Sequence, residues 1–144
     1  MNDTFDDNEA FRRGLALRRE VLGEAHVERS LDRAREDPFL RVMQQLTTEF
    51  GWGTVWSRPG LPRKTRSFLA MAFLAANGKH DELRTHVRGA VRNGATRDEI
   101  AEVLLQAAVY CGFPVGLESF RIAKAVLDEM DAAGEGPVAG GAAQ

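Results

Sequence analysis

The chain has 144 residues, of which 44% are hydrophobic, 28% charged and 8% aromatic, the size and balance of one soluble domain that can bury a core without staples. Nineteen Lys and Arg against 21 Asp and Glu leave a formal charge of −2, which argues against a sequence-blind nucleic-acid binder with its large basic excess. The single cysteine, Cys111, excludes an internal disulfide, a cysteine-based zinc site and a two-thiol redox motif.

The opening Met1-Asn2-Asp3-Thr4-Phe5-Asp6-Asp7 is acidic, where a signal peptide needs a basic start and an apolar run. Apolar spacing is helical almost throughout, with no sustained period of two. A first helix is expected from about Asn8 to Leu22, stopped by Gly23, and His26 falls in a short polar connection after it. Asp37-Pro38 reads as an N-cap followed by proline at the first helical position. Phe39, Val42, Met43, Leu46 and Phe50 then fall on one helix face, until Gly51 and Gly53 break the pattern around Trp52. Ser57-Arg58-Pro59-Gly60-Leu61-Pro62 is a loop.

The next helix opens at Leu61-Pro62-Arg63 and becomes apolar on all sides from Phe68 to Ala76. That run implies a buried, central helix. At nine residues it is about half a membrane span, so a cytoplasmic protein with no membrane partner is expected. Asn77-Gly78 ends it. A further helix from about His80 to Asn93 buries Leu83, Val87, Ala90 and Val91 and stops at Gly94. Thr96-Arg97-Asp98-Glu99 is a capping box opening a helix with Ile100, Val103, Leu104, Ala107, Ala108 and Cys111 in helical register. After Gly112-Phe113-Pro114, a last helix is expected from about Gly116 to Met130. The fold is read as an all-α compact bundle of about six helices. Residues 1–133 form a single helical domain, and the glycine-rich tail 134–144 is expected to be disordered.

Two constellations carry chemistry. His86 lies four residues after Glu82, so the two share a helix face, and a carboxylate that orients an imidazole makes a proton-transfer pair. The plainer reading is a surface ion pair. His80, at the helix start, is either a third member or a cap. Glu82-Leu83-Arg84-Thr85-His86 lacks the second histidine of a helical zinc motif, so no metal is expected. The second constellation spans Trp52 to Arg66, with both tryptophans and four cations, Arg58, Arg63, Lys64 and Arg66, in fifteen residues without an acid. Aromatic faces beside guanidiniums suit a flat, anionic small molecule; core tryptophans beside solvated cations are the alternative.

Arg18 to Leu31, Trp52 to Arg66, and Asp81 to Ala90 with Asn93 to Ile100, read together, resemble the carboxymuconolactone decarboxylase family, within the alkylhydroperoxidase-like superfamily. The likeness runs from about Phe11 to Met130. Thiol-dependent relatives place a Cys-x-x-Cys pair just ahead of the histidine matching His86, and this chain has Lys79 and Glu82 there. The resemblance implies a cofactor-free carboxy-lyase that converts 4-carboxymuconolactone to β-ketoadipate enol-lactone in protocatechuate degradation. It would act as a homo-oligomer, a trimer or hexamer, on a small anionic lactone. It implies His86, Glu82 and His80 as catalytic residues, and Trp52, Trp56, Arg58, Arg63 and Arg66 as substrate-binding ones. Leu117 and Arg121 depart from the asparagine and histidine common in these decarboxylases. A paralogue acting on another lactone or β-keto acid, or a non-catalytic helical binding module, are the alternatives. The resemblance leaves open a place for His26 or Arg18 in a pocket at a subunit contact.

Overall fold

A computed structural model describes residues 4–139. Among the described residues there are seven α-helices and one π-helical segment, and no strand. They are α1 (Glu9–Leu22), α2 (Glu24–Glu36), α3 (Pro38–Leu46), the π-helical segment (Thr47–Trp56), α4 (Arg63–Ala76), α5 (His80–Arg92), α6 (Arg97–Cys111) and α7 (Phe113–Ala132). The chain divides into two compact units, residues 1–61 and 62–144. Residues 134–139 carry no regular structure beyond the turn at Gly134; the rest of the expected tail, 140–144, lies outside the described residues.

In the N-terminal unit, the Asn8 side chain caps α1 by accepting from the Phe11 amide at 2.9 Å, and Gly23 ends it at φ 89°. The polar connection expected around His26 is instead helix α2. Its buried stripe is only Val27, Leu31 and Ala34, narrow enough to read as polar loop. Asp37 caps α3 with proline behind it, as its sequence requires. The apolar face expected on α3 is present but turned outward: Phe39 is 81% and Met43 62% exposed. The residue that α3 buries is Arg41. Its guanidinium donates to the carbonyls of Ala34 at 3.0 Å and Arg35 at 2.6 Å, where the last turn of α2 has acceptors to satisfy.

Gly51 and Gly53 do not break the helix that follows; it continues to Trp56 as a π-helix. The reason is close packing against α1. A Cβ on Gly14 would come within 1.9 Å of the Thr48 carbonyl oxygen, and one on Gly53 within 2.1 Å of the Ala10 carbonyl oxygen. Leu17, Val21, Leu22, Val27, Leu31 and Trp52 form the core of this unit.

The C-terminal unit is built from α4 to α7 around Met71, Leu83, Val87, Ile100, Leu104, Val126 and Met130. Helices α4 and α5 form a hairpin closed by Gly78 at φ 64°. Helix α4 is not apolar and buried on all sides. Ser67, Met71 and Ala75 point inward, whereas Leu69 and Phe73 are exposed, Phe73 by 61%. The capping box at Thr96 forms as read. Helix α7 begins at Phe113, three residues before its expected start, with Pro114 in its first turn, where a missing amide costs nothing.

Candidate active site

Helix α5 is set by Leu83, Val87 and Ala90, all buried. A helix advances about 100° per residue, so Glu82 and His86 lie together on the flank beside that buried stripe. His86 is half-buried, Glu82 exposed. His80 is the exposed first residue of α5. Six positions from His86, it is turned to another face.

Arg63 and Arg66 occupy the first turn of α4, three residues apart and on one side. This turn is fastened to the end of α5. Asn93, which ends that helix, donates through Nδ2 to the Ser67 hydroxyl at 2.8 Å and to the Arg63 carbonyl at 3.3 Å. The hairpin is therefore antiparallel, with Arg63 beside Asn93. Counting back along both helices at about 1.5 Å per residue puts Arg66 roughly one turn from the level of His86. The half-buried Arg66 and His86 thus belong to neighbouring stretches of one helix pair.

Lys64 takes a different part. Its Nζ lies 2.9 Å from Glu99 Oε1, so the local positive excess read from Trp52 to Arg66 loses one of its four cations to a carboxylate on α6. The other oxygen of Glu99 accepts from the Thr96 amide at 3.0 Å, and the Thr96 hydroxyl accepts from the Glu99 amide at 3.1 Å. The Thr96 amide first, and then the Lys64 ammonium, hold the Glu99 carboxyl below the usual glutamate range.

Trp52, Trp56 and Arg58 fall in the N-terminal unit. The indole rings of Trp52 and Trp56 stack with centroids 4.5 Å apart and planes at 25°, an arrangement worth about 0.5–1.5 kcal/mol beyond buried area. Trp52 is sealed in the core and Trp56 half-exposed. Arg58 is exposed in the turn after the π-helix, its amide bonded to the Val55 carbonyl at 3.1 Å. The expected residues therefore form three local groups: Trp52 with Trp56, Arg63 with Arg66, and Glu82 with His86. The first belongs to one compact unit and the other two to the second. Leu117 and Arg121 are exposed on α7, and Arg121 pairs with Glu118 in its own helix. His26 is half-buried on α2. Among the described residues no group of three or more His, Cys, Asp or Glu could hold a metal ion. Nor, among the described residues, is any helix long and apolar enough to cross a membrane.

One residue for which the resemblance left only an open place, Arg18, is set apart by the structure. It is 5% exposed and donates from Nη1 to the Gln44 side-chain oxygen at 2.8 Å and the Thr48 hydroxyl at 3.1 Å. A charged residue in an otherwise apolar stripe, beside Leu17, Val21 and Leu22, is the signal that could have found it.

Glu82 and His86 on one flank of α5, with the two-arginine turn of α4 beside that helix, are candidate parts of an acid–base site for a small anion. The carboxymuconolactone decarboxylase family profile matches residues 42–125, and the chain belongs to that family. It is 42% identical over 130 residues to the 4-carboxymuconolactone decarboxylase of Acinetobacter baylyi, covering 90% of this chain and 96% of that one. It is 44% identical over 125 residues to a nitrosuccinic acid decarboxylase of Metarhizium robertsii, covering 87% and 86%. An uncharacterized 15.0 kDa protein of Paracoccus denitrificans is 32% identical over 112 residues, covering 72% and 84%.

Proposed function

We propose that this protein is a cofactor-free carboxy-lyase whose substrate is 4-carboxymuconolactone, working in the cytoplasm as a homo-oligomer of three or six subunits. The observation that carries the reading is 42% identity to a decarboxylase of that name over nearly the whole of both chains. The substrate's structure supplies the electron sink. As the bond to the departing carboxylate breaks, its electron pair moves through the ring double bond onto the lactone carbonyl. Carbon dioxide leaves, and a proton added to the carbon beside that carbonyl completes the enol-lactone.

The protein then has three tasks: to hold the carboxylate that stays, to favour negative charge on the lactone oxygen, and to deliver one proton to carbon. Arg63 and Arg66 take the first, since a guanidinium grips a carboxylate with two parallel hydrogen bonds. His86, oriented by Glu82, gives the proton. The scheme gives no step to His80, which the helix turns away from His86. Trp52, sealed in the core of the N-terminal unit, is given no step; Trp56 and Arg58 are that unit's own candidate substrate contacts.

A second substrate is favoured by the 44% identity to a nitrosuccinic acid decarboxylase. The chemistry is parallel: carboxylate loss beside a nitro group leaves a nitronate, and a proton again goes to carbon. Ultraviolet absorbance with 4-carboxymuconolactone and with nitrosuccinate, in separate assays, decides between them. Turnover of the lactone is expected. Turnover of nitrosuccinate alone would replace the substrate, and turnover of neither would leave a binding module. His86→Ala is expected to fold and to lose about 10²–10⁴-fold in kcat; an unchanged rate would remove His86 from the mechanism.

A further inference from the structure

Each helix of the α4–α5 hairpin ends in an asparagine followed by glycine, Asn77-Gly78 after α4 and Asn93-Gly94 after α5. Both glycines take positive φ, 64° and 90°, and both ends are closed by the same pattern of backbone bonds. After α4, the amides of Gly78 and Lys79 reach the carbonyls of Ala75 and Leu74 at 3.2 and 2.9 Å. After α5, those of Gly94 and Ala95 reach Val91 and Ala90, each at 2.9 Å. The two side chains then differ. Asn77 donates through Nδ2 to the Phe73 carbonyl of its own helix at 2.8 Å, satisfying one of the acceptors that a helix end leaves open. Asn93 sends its Nδ2 out of its own helix, to the Ser67 hydroxyl at 2.8 Å and the Arg63 carbonyl at 3.3 Å. The end of α5 is closed by backbone; the Asn93 side chain serves the first turn of α4.

That turn is poorly equipped to hold itself. Its cap position is Pro62, which offers no side-chain cap, and it contains no acid. Arg63, Lys64 and Arg66 instead put cations at the positive end of the helix dipole. Lys64 is answered by Glu99 on α6 at 2.9 Å. The backbone beneath Arg63 and Arg66 is anchored by Asn93. Ser67 is fully buried, so a bond to its hydroxyl fixes how α4 is turned about its axis, and the bond to the Arg63 carbonyl fixes how far along α5 the turn sits. Deeper in the hairpin the two helices meet through Met71, Ala75, Leu83, Val87 and Ala90, apolar packing that has no direction of its own. Asn93 lies seven positions beyond His86, about two turns, and so on the same side of α5. A slip of one residue along α4 would move Arg66 about 1.5 Å and swing it about 100°.

We propose that Asn93 is a positioning residue for carboxylate binding: by bridging the Arg63 carbonyl and the Ser67 hydroxyl, it fixes the register of the two-arginine turn against the helix that carries His86. The inference rests on the reading of Arg63 and Arg66 as the carboxylate grip. A turn released from Asn93 has to be ordered by the substrate itself, and that cost falls on binding. The test combines kinetics on the lactone with calorimetric titration of succinate, an unreactive dicarboxylate, into the full chain at constant ionic strength. Asn93→Ala is expected to raise KM and weaken succinate binding about 5–20-fold each, with kcat within about threefold of wild type. Ser67→Ala removes one of the two acceptors and is expected to raise KM about 2–5-fold; added to Asn93→Ala it should change nothing further, because both act through one set of bonds. Asn77→Ala, the same change at the matching end of the hairpin, is expected to leave KM and succinate affinity unchanged.

Wild-type KM and succinate affinity in Asn93→Ala, or a KM raised equally by Asn77→Ala, would overturn the proposal. Should Asn93→Ala not fold, Ser67→Ala carries the test, and a wild-type KM there overturns it too. Failure of the decarboxylase reading has a different signature. A wild type that binds succinate without consuming the lactone sinks the function; the positioning role then stands if Arg66→Met and Asn93→Ala lose succinate affinity and Asn77→Ala does not. A wild type active on the lactone whose KM ignores Asn93 keeps the function and sinks the positioning role. A protein that neither consumes the lactone nor binds succinate sinks both.

Discussion

Gly14, Gly51 and Gly53 look alike in the sequence and differ completely in the fold. A Cβ on Gly14 would meet the Thr48 carbonyl oxygen at 1.9 Å, and one on Gly53 would meet the Ala10 carbonyl oxygen at 2.1 Å, whereas nothing lies within 4 Å of a Cβ on Gly51. The obstructing atoms are backbone, so relief requires moving α1 away from the π-helical segment. Gly14→Ala and Gly53→Ala are therefore expected to destabilise by at least the roughly 1–3 kcal/mol typical of overpacking. Gly51→Ala should be neutral or stabilise by up to about 1 kcal/mol, because alanine loses less backbone freedom in a helix. Chemical denaturation of the three variants checks this, and a destabilised Gly51→Ala would contradict the packing described. No single-residue rule could rank these glycines, since each obstruction comes from a residue some 34 or more positions away or from a separate helix.

At the scale of elements, what was legible is what local chemistry decides. Asp37-Pro38 and Thr96 to Glu99 start helices because their side chains bond amides two or three residues on, and both appear where the sequence puts them. Helix α2 was missed because its buried stripe is three residues wide in a run of charge. The π-helix was missed because glycine's low helix propensity gave way to close packing against α1. The capping box makes a testable prediction of its own. Thr96→Ala removes the acceptor for the Glu99 amide and is expected to cost about 0.5–2 kcal/mol. Glu99 adds a pH dependence whose sign is fixed. Its folded pKa lies below the usual value, through the Thr96 amide and then Lys64. In that range the unfolded chain binds more protons, so the contribution is complete above the ordinary glutamate pKa and is lost as pH falls through the lower folded one. Because Glu99 is partly solvated, the effect is small. Acid unfolding followed by circular dichroism should be shallower for Glu99→Gln than for wild type across that window; identical slopes would show that Glu99 is not held as described.

For the whole molecule, the decisive observation is how much large apolar surface a chain with no membrane-spanning helix among its described residues leaves uncovered. In the N-terminal unit Phe39, Met43 and Phe50 project from α3 and the π-helical segment, and in the C-terminal unit Phe73, Val109 and Tyr110 do so from α4 and α6. Phe73 and Tyr110 line a groove of about 400 Å³ together with Phe68, Leu69, Val103 and Ala107. Binary patterning could not separate these positions from core, because the periodicity of a face that is buried by a neighbouring subunit is the same as that of a face buried by its own chain. Monomers rarely leave contiguous apolar patches of this kind exposed, and closed rings of identical subunits are a common way to cover them. This is the support for the homo-oligomer. Light scattering is expected to give a mass of three or six times the 15.9 kDa chain. Phe73→Glu, which places a charge on an already exposed position, should leave the helical content unchanged and shift the mass toward that of one chain. A wild-type mass of 15.9 kDa, or an assembly indifferent both to Phe73→Glu and to Tyr110→Glu, would mean that this face is not what holds the subunits together.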